Sequence, residues 1–414
     1  MVNQQFSMLE KEETPINWDF KEANTKEYTH GFHTYPAMMI PQIARKLIDL
    51  YGRDAKVLLD PFCGSGTSLV EASLTDHIQE AHGLDLNPLA VLVSKVKTTP
   101  LNQRTLELTY RKLLENQGVA KKEDFKNIEF WFKPNVIENL GIIKSAIEKI
   151  NDQDIRDFFF VAFSETVRNV SNTRKREFKL YRKDEKMMEK HNPDVFMGFG
   201  DLLKKNIKSM AEYQKSRKAT KTITTLADTR ERIPLPDRSV NIVVTSPPYG
   251  DSRTTVAYGQ FSRLSLQWFG QKDVANLDNR LLGGVTSKDL EITIKSPTLQ
   301  NIINKISHID SKRAKEVLSF YKDFDKCVIE IDRVMAKNGF VCFVVGNRTV
   351  KGINIPTDKI MTEMFKARGN YEYITTHERT IPMKRMPKAN SPSNKVGEKV
   401  TTMNNEYIFV LKKK

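Results

Sequence analysis

Cysteine is scarce in this chain. Cys63, Cys327 and Cys342, three residues in 414, cannot build a disulfide framework. No Cys-x-x-Cys pair or His/Cys cluster spaces ligands for structural zinc, and the expectation is a metal-free protein of a reducing, cytoplasmic compartment. No uninterrupted apolar run approaches the length of a bilayer crossing, which excludes a spanning helix. The opening MVNQQFSMLEKEETPINWDF has neither the basic flank nor the apolar stretch of a secretory leader. Collagen-like, solenoid and heptad repeats are absent. No Gly-Lys-Ser/Thr follows a glycine-rich turn, so a P-loop is excluded as well.

What is present suits a packed globule of two or three folding units, with 39% hydrophobic and 9% aromatic residues. Lys and Arg number 66 against 51 Asp and Glu, a formal charge of +15. A balance so basic points to a polyanionic partner, nucleic acid before acidic membrane, with simple solubility as the bland alternative. Between Arg168 and Lys221 sixteen positive residues face seven negative ones, so most of the excess is concentrated there.

The pattern along the chain is α/β with an interruption. Residues 1–30 are polar and read as a loosely attached arm. A helical stretch follows, with Met39, Ile43, Leu47 and Leu50 at the helical period and Gly52 as its stop. Val57–Asp60 reads as a strand, Pro61–Gly66 as a turn, Thr67–Leu74 as a helix and Ala81–Asp85 as a second strand. Residues 101–221 then turn helical and basic, with stripes at Val136, Leu140, Ile143 and Ile147 and at Ile155, Phe158, Phe159 and Ala162. The α/β pattern resumes at Thr222, with strands at Ile223–Leu226 and Asn241–Thr245. A mixed polar segment covers 250–314, and Val317–Met335 reads as a helix before the strand Phe340–Val345. Pro356–Phe365 is a further helix, and Tyr371–Thr380 and Tyr407–Lys412 are the last two strands. The expected segments are the arm, 31–100 and 222–414 as two parts of one sheet domain, and 101–221 as the helical insertion.

Two loops carry chemistry. In Asp60-Pro61-Phe62-Cys63-Gly64-Ser65-Gly66-Thr67 the glycines let backbone approach a ligand, and the following helix offers free N–H groups to a carboxylate. Asp85, ending the next strand, is placed to accept both ribose hydroxyls of a nucleoside cofactor. An ordinary strand–helix turn is the bland alternative. In Thr245-Ser246-Pro247-Pro248-Tyr249-Gly250 two prolines stiffen the turn and leave its carbonyls free for an amino group. Tyr249 offers a flat face on which a base can stack. A rigid surface turn is the alternative there.

Together these loops resemble the amino-group S-adenosylmethionine-dependent DNA methyltransferases, which modify cytosine N4 or adenine N6. The stretch His33-Thr34-Tyr35-Pro36-Ala37-Met38 resembles the segment over the cofactor's methionine part, and Asp85-Leu86-Asn87-Pro88 the ribose-binding acid and its neighbours. Asp228 matches the acid near the cofactor adenine. The resemblance covers roughly 31–100 and 222–349. It implies a Rossmann-like methyltransferase sheet interrupted by a largely helical insertion. It also implies cofactor contacts at His33, Tyr35, Pro36, Asp60, Pro61, Phe62, Cys63, Gly64, Ser65, Gly66, Thr67, Asp85, Leu86, Asn87, Asp228 and Thr245. Ser246, Pro247, Pro248 and Tyr249 become the catalytic residues, and their Ser-Pro-Pro-Tyr form resembles the cytosine-N4 branch, with adenine N6 as the alternative. Cytosine C5 chemistry would need a cysteine nucleophile in a Pro-Cys context, and no cysteine here follows a proline.

The resemblance further implies that the target base leaves the duplex, because its amino group cannot meet a methyl donor inside the stack. Double-stranded DNA is the expected partner, with a separately encoded restriction endonuclease as a second. Arg168, Arg174, Lys175, Arg176, Lys179 and Arg182, interleaved with Phe178 and Tyr181, form a candidate phosphate-tracking surface, to which Arg253 adds a position beside the catalytic loop. A solvated helix face is the alternative. Trp268 reads as base-holding or core, Asn347 as pocket or strand-exit turn, and residues 384–399 as a further backbone contact. An RNA guanine-N2 methyltransferase and a catalytically silent DNA-binding relative are the competing readings.

Overall fold

The computed structural model describes residues 16–115, 123–174, 177–251, 255–381, 389–390, 400–401 and 405–414. Seven strands form the main sheet: β1 (Val57–Asp60), β2 (Glu80–Asp85), β3 (Lys221–Leu226), β4 (Val240–Thr245), β5 (Met335–Gly346), β6 (Tyr371–Thr380) and β7 (Asn405–Lys413). Their spatial order is β3-β2-β1-β4-β5-β7-β6. The first five run parallel, and β7 lies antiparallel between β5 and β6. This is a Rossmann-like α/β sheet.

Alternation along the strands explains why both faces are covered. Leu59, Leu84, Val243, Val341, Phe343 and Phe409 share one buried cluster, whereas Leu58, Ile242, Val244, Cys342, Ile408 and Val410 share another. Successive side chains point to opposite faces, so a continuous apolar run such as Val57-Leu58-Leu59 must be buried on both. Helix α1 (Pro41–Tyr51) and helix α2 (Thr67–Ser73) bring Ile43, Leu47, Ile48 and Leu69 to the second face. The helices Ser311–Val334 and Thr357–Lys366 cover the first.

The helical block lies in the connection between β2 and β3. After α3 (Pro88–Thr98), whose N-terminus is capped by Asn87, come the long helices Pro134–Glu148, Gln153–Val170 and Val195–Ser216. Asp152 and Asp194 cap the last two by accepting backbone N–H groups. These helices share one core with α3: Leu89, Val93, Leu140, Phe158, Phe163, Phe199 and Trp268 belong to a single buried cluster. Trp268 is therefore core, ringed by Phe125, Phe132 and Phe163.

The structure departs from the sequence expectations in places. Residues 16–30 are not a loose arm: Trp18 is buried and stacked on His377, its carbonyl accepts from Arg379, and His30 reaches Glu71 at 2.8 Å. The polar segment 250–314 contains two substantial helices, Tyr258–Trp268 and Pro297–Ile309. Asn347 accepts the backbone N–H of Thr357 at 2.8 Å, a turn-forming role. Among the described residues no helix is long and apolar enough to cross a membrane.

Phe158 is fully buried and meets Phe32 edge-on at 5.5 Å, linking the helical block to the segment ahead of α1. Phe158→Ala is expected to cost ~3–5 kcal/mol. Because the core is shared, calorimetry of the variant should still show one unfolding transition at lower temperature, not separate melting of the helical block.

Candidate active site

Strands β1 and β4 are neighbours, paired Leu58 to Ile242 and Leu59 to Val243. The chain leaves both strands at the same edge, so the loops after Asp60 and Thr245 emerge side by side. Thr245 Oγ1 donates to Asp60 Oδ1 at 2.6 Å, fastening the two exits together. A cleft of about 930 Å³, counting the part open to solvent, lies above them. Its wall includes Asp60–Ser65 and Thr67 from the first loop, and Ser246, Pro248 and Gly250 from the second. Tyr35 and Pro36 close one side, with Ala37, Met38 and Met39; Asp85, Leu86 and Asn87 form another. Asp228 lies farther along with Ala227, Thr229 and Arg230.

The first loop is shaped by glycine. Gly64 and Gly66 have φ of +49° and +79°. A Cβ on Gly66 would stand 2.4 Å from Ser94 Oγ, and one on Gly64 would touch the Tyr35 ring at 3.4 Å. Gly64 thus keeps the loop backbone open toward the cleft, while Gly66 lets the loop pack onto α3. The Gly64 N–H donates to Asp85 Oδ2 at 2.9 Å and the Asn87 N–H to Oδ1 at 2.8 Å. The Asn87 amide donates to Tyr35 Oη at 2.9 Å and to Ser262 Oγ at 2.7 Å. One hydrogen-bonded unit therefore joins the segment before α1, the ends of β1 and β2, and the helix Tyr258–Trp268.

Two carboxyls of the cleft are lifted from the ordinary Asp range to about 6. For Asp85 burial raises it, offset in part by the N–H groups of Asn87 and Gly64. For Asp60 burial again dominates, offset by the Thr245 hydroxyl. Asp228 behaves differently. Burial pushes its carboxyl up, but Arg230 more than reverses this: its Nε reaches Oδ1 at 2.9 Å and its Nη2 reaches Oδ2 at 2.6 Å, leaving the carboxyl below its usual value.

The second loop is anchored away from its own strand. Ser246 Oγ lies 3.2 Å from Tyr249 Oη, which donates to Glu406 Oε1 at 2.9 Å. The other Glu406 oxygen pairs with buried Arg379. Arg348 pairs with Asp251 at 3.1 Å and crowds Gly250, where a Cβ would meet its Nη1 at 2.2 Å. Pro247 sits within this anchored loop.

Not every expected residue faces the cleft. His33, Gly66, Thr245, Pro247 and Tyr249 do not line it. The His33 ring is buried behind it, with Nδ1 at 2.5 Å from the Thr34 carbonyl and 3.4 Å from Glu165, against Phe261. Arg168 is a correction: its guanidinium stacks 3.5 Å above the Phe261 ring and donates to the Phe261 carbonyl at 2.8 Å, an interior role rather than a phosphate contact. Arg182 donates to the Phe130 carbonyl and lies over that ring, while Arg174, Phe178 and Tyr181 are exposed and Lys179 is half-buried. Lys175, Arg176 and Arg253 lie outside the described residues, as does most of 384–399. Tyr258, expected beside the base, lines the cleft; Arg230, Arg280, Leu281 and Leu282 line it without having been expected, and Glu406 stands behind it. Among the described residues no group of three or more His, Cys, Asp or Glu is placed to hold a metal.

Gly66→Ala is expected to cost ~2–4 kcal/mol, combining a positive φ with overpacking against Ser94. Ser94→Ala in the same chain should not rescue the melting temperature, because Ser94 Cα and Cβ already stand 3.0 Å from the added carbon.

Comparison with known proteins fits this geometry. A family described as UPF0020, an RMKL-like methyltransferase domain, matches residues 28–105. The type II methyltransferase M.MvaI of Kocuria varians is 44% identical over 424 aligned positions, covering 95% of this chain and 93% of that protein. M.MjaII of Methanocaldococcus jannaschii, also a type II methyltransferase, is 27% identical over 118 positions, 27% of this chain and 21% of its own. The rRNA methyltransferase aviRa of Streptomyces viridochromogenes aligns over 92% of this chain and 88% of its own at 9% identity, with a TM-score of 0.34. With near full-length similarity to M.MvaI, and with the loops after β1 and β4 meeting in one cleft, the chain belongs to the type II methyltransferases, a family of S-adenosylmethionine-dependent DNA methyltransferases.

Proposed function

We propose that this enzyme methylates the exocyclic N4 of cytosine in duplex DNA as the modification member of a restriction–modification pair. The observation that carries the reading is the shared cleft, in which the Asp60–Thr67 loop and Ser246 face common space. S-adenosylmethionine, when bound, supplies an electrophilic methyl carbon on a sulfonium sulfur. The cleft suits it: Asp85 has oxygen lone pairs beyond those engaged by Gly64 and Asn87, enough for a ribose diol, and Gly64 leaves backbone room where a Cβ would intrude. Tyr35, Phe62 and Leu282 give the cleft an apolar lining that excludes water from the reacting groups.

In this reading the residues orient more than they react. Ser246 faces the cleft and accepts an amino hydrogen of an extruded base; the second hydrogen and the stacking fall, by the family resemblance, to the Pro247 carbonyl and the Tyr249 ring, which adjoin Ser246 behind the cleft wall. The amino nitrogen attacks with its lone pair and sheds a proton afterwards, so no covalent enzyme intermediate or metal is required. Well-oriented reactants can gain roughly 7–11 kcal/mol over reaction in solution. Serine at the first position of the tetrapeptide supports the cytosine branch. The exposed Arg174, Phe178 and Tyr181 suit DNA contact, and the Leu180 N–H meets Gln260 at 3.3 Å, tying that segment to the helix that lines the cleft at Tyr258.

The test is incubation with methyl-labelled S-adenosylmethionine and varied duplexes, followed by mass spectrometry of the nucleosides. N4-methyldeoxycytidine is expected. Recovery of N6-methyldeoxyadenosine alone would overturn the cytosine assignment while keeping the rest.

A second outcome concerns pH. Asp85 and Asp60 are largely ionised above about 6 and protonate below it. Only the carboxylate is a full acceptor for ribose hydroxyls, so cofactor affinity should fall as pH drops from 7 to 5. The free fold gains from the same change, since a carboxyl whose folded pKa is raised favours the folded state as it protonates. Asp85→Asn should weaken binding at pH 7 and flatten its pH dependence, as read by titration calorimetry with S-adenosylhomocysteine.

A further inference from the structure

A serine hydroxyl can either donate or accept, so by itself it would meet a base carbonyl as readily as a base amino group. In this protein its direction is set from outside the loop. Glu406 lies at the start of β7, in register with Arg379 of β6 and with Gly346 of β5, and it is ion-paired with Arg379. Arg379 Nε also donates to the Trp18 carbonyl at 3.1 Å. A carboxylate only accepts, so the 2.9 Å contact between Tyr249 and Glu406 takes the single phenolic proton. The 3.2 Å contact between Ser246 and Tyr249 must then carry the serine proton toward the tyrosine oxygen. That leaves Ser246 Oγ with no proton for the cleft and with lone pairs facing a ligand. Chains of this kind also polarise one another, which strengthens the terminal acceptor.

We infer that Glu406, acting through Tyr249, fixes Ser246 as a one-way hydrogen-bond acceptor and so selects a base that presents an amino hydrogen over one that presents a carbonyl oxygen. The inference rests on the proposed base-methylating function and deepens it: it assigns Glu406 as a positioning residue that sets specificity. It also gives a chemical account of the Ser-Pro-Pro-Tyr form. A carboxylate at the first position would accept by its own nature, whereas a hydroxyl acquires that character from a carboxylate two hydrogen bonds away.

Two variants test it. Glu406→Gln keeps the size of the side chain, but its amide can turn to donate to Tyr249 and reverse the chain. Tyr249→Phe removes the link, keeps an aromatic face and leaves the Glu406–Arg379 pair in place, which guards against a simple folding defect in the first variant. Each protein is given duplexes carrying the base that the wild type methylates, and matched duplexes carrying its deaminated counterpart, uracil for cytosine or hypoxanthine for adenine. Binding is measured with S-adenosylhomocysteine present, and kcat and KM are measured on the native duplex.

Both variants should fold and bind S-adenosylhomocysteine like the wild type. Each should lose roughly tenfold or more in kcat, as expected for a charge-assisted network, and lose the wild-type binding preference for the amino base. The double variant should fall no further than either single one, because both cut the same chain. An intact preference in Tyr249→Phe, or additive losses in the double variant, would overturn the inference and leave the methyltransferase reading standing. A wild type that methylates no base in any duplex would overturn that reading and the inference together.

Discussion

The site depends on β1 and β4 being adjacent. From β1 the chain proceeds toward β2 and β3 on one side; from β4 it proceeds toward β5 on the other. Connections that diverge from neighbouring parallel strands cannot cover the edge between them, and a crevice remains at that switch point. Two loops 185 residues apart in sequence are thereby brought within one hydrogen bond of each other, Thr245 to Asp60 at 2.6 Å. Nothing in either loop could achieve this alone, and the strand pairing that does achieve it is held by apolar side chains on both faces of the sheet.

The helical block is tied to this crevice through several contacts. Glu165 accepts from the Thr34 backbone and hydroxyl, next to Tyr35 of the cleft wall. Arg168 stacks on Phe261, one turn of helix from Tyr258. Burial lowers the Arg168 guanidinium to about 10, with Glu165 acting in the opposite sense, so the charge stays on and is met inside the protein. A cation at this position holds two elements in a fixed relation. Arg174, Phe178 and Tyr181 of the same block lie on its exposed surface.

How far the sequence can be read follows from what each feature requires of the backbone. Gly64 and Gly66 stand out because positive φ excludes most other residues, and Pro247–Pro248 because two fixed φ angles are uncommon. The strands stand out because parallel central strands need unbroken apolar runs. Arg168 is misread because a charge pattern does not say which members of a basic run turn inward to meet an aromatic ring. The helix Pro297–Ile309 does carry the period, at Leu299, Ile302, Ile303 and Ile306, behind a Ser296 cap and a proline at its start, but its polar surroundings conceal it. Glu406 has no local signal at all. It is a single acid before an apolar strand, and its meaning comes from β7 lying beside β5, a pairing of distant segments.

The charged pairs around the loop after β4 bear on position more than on stability. Arg348 with Asp251 and Arg379 with Glu406 are largely shielded from solvent, and such pairs recover only part of the hydration they lose. Apolar residues of similar volume would commonly serve a fold as well. An apolar contact, however, is non-directional, while these pairs hold the loop at Asp251 directly and at Tyr249 through Glu406, just after a start stiffened by two prolines. The loop is thus held by the surrounding structure and not by its own residues alone. Orientation is useful to a site only when it is established in advance, so the desolvation of these charges is the thermodynamic counterpart of a loop whose geometry is fixed before it is used.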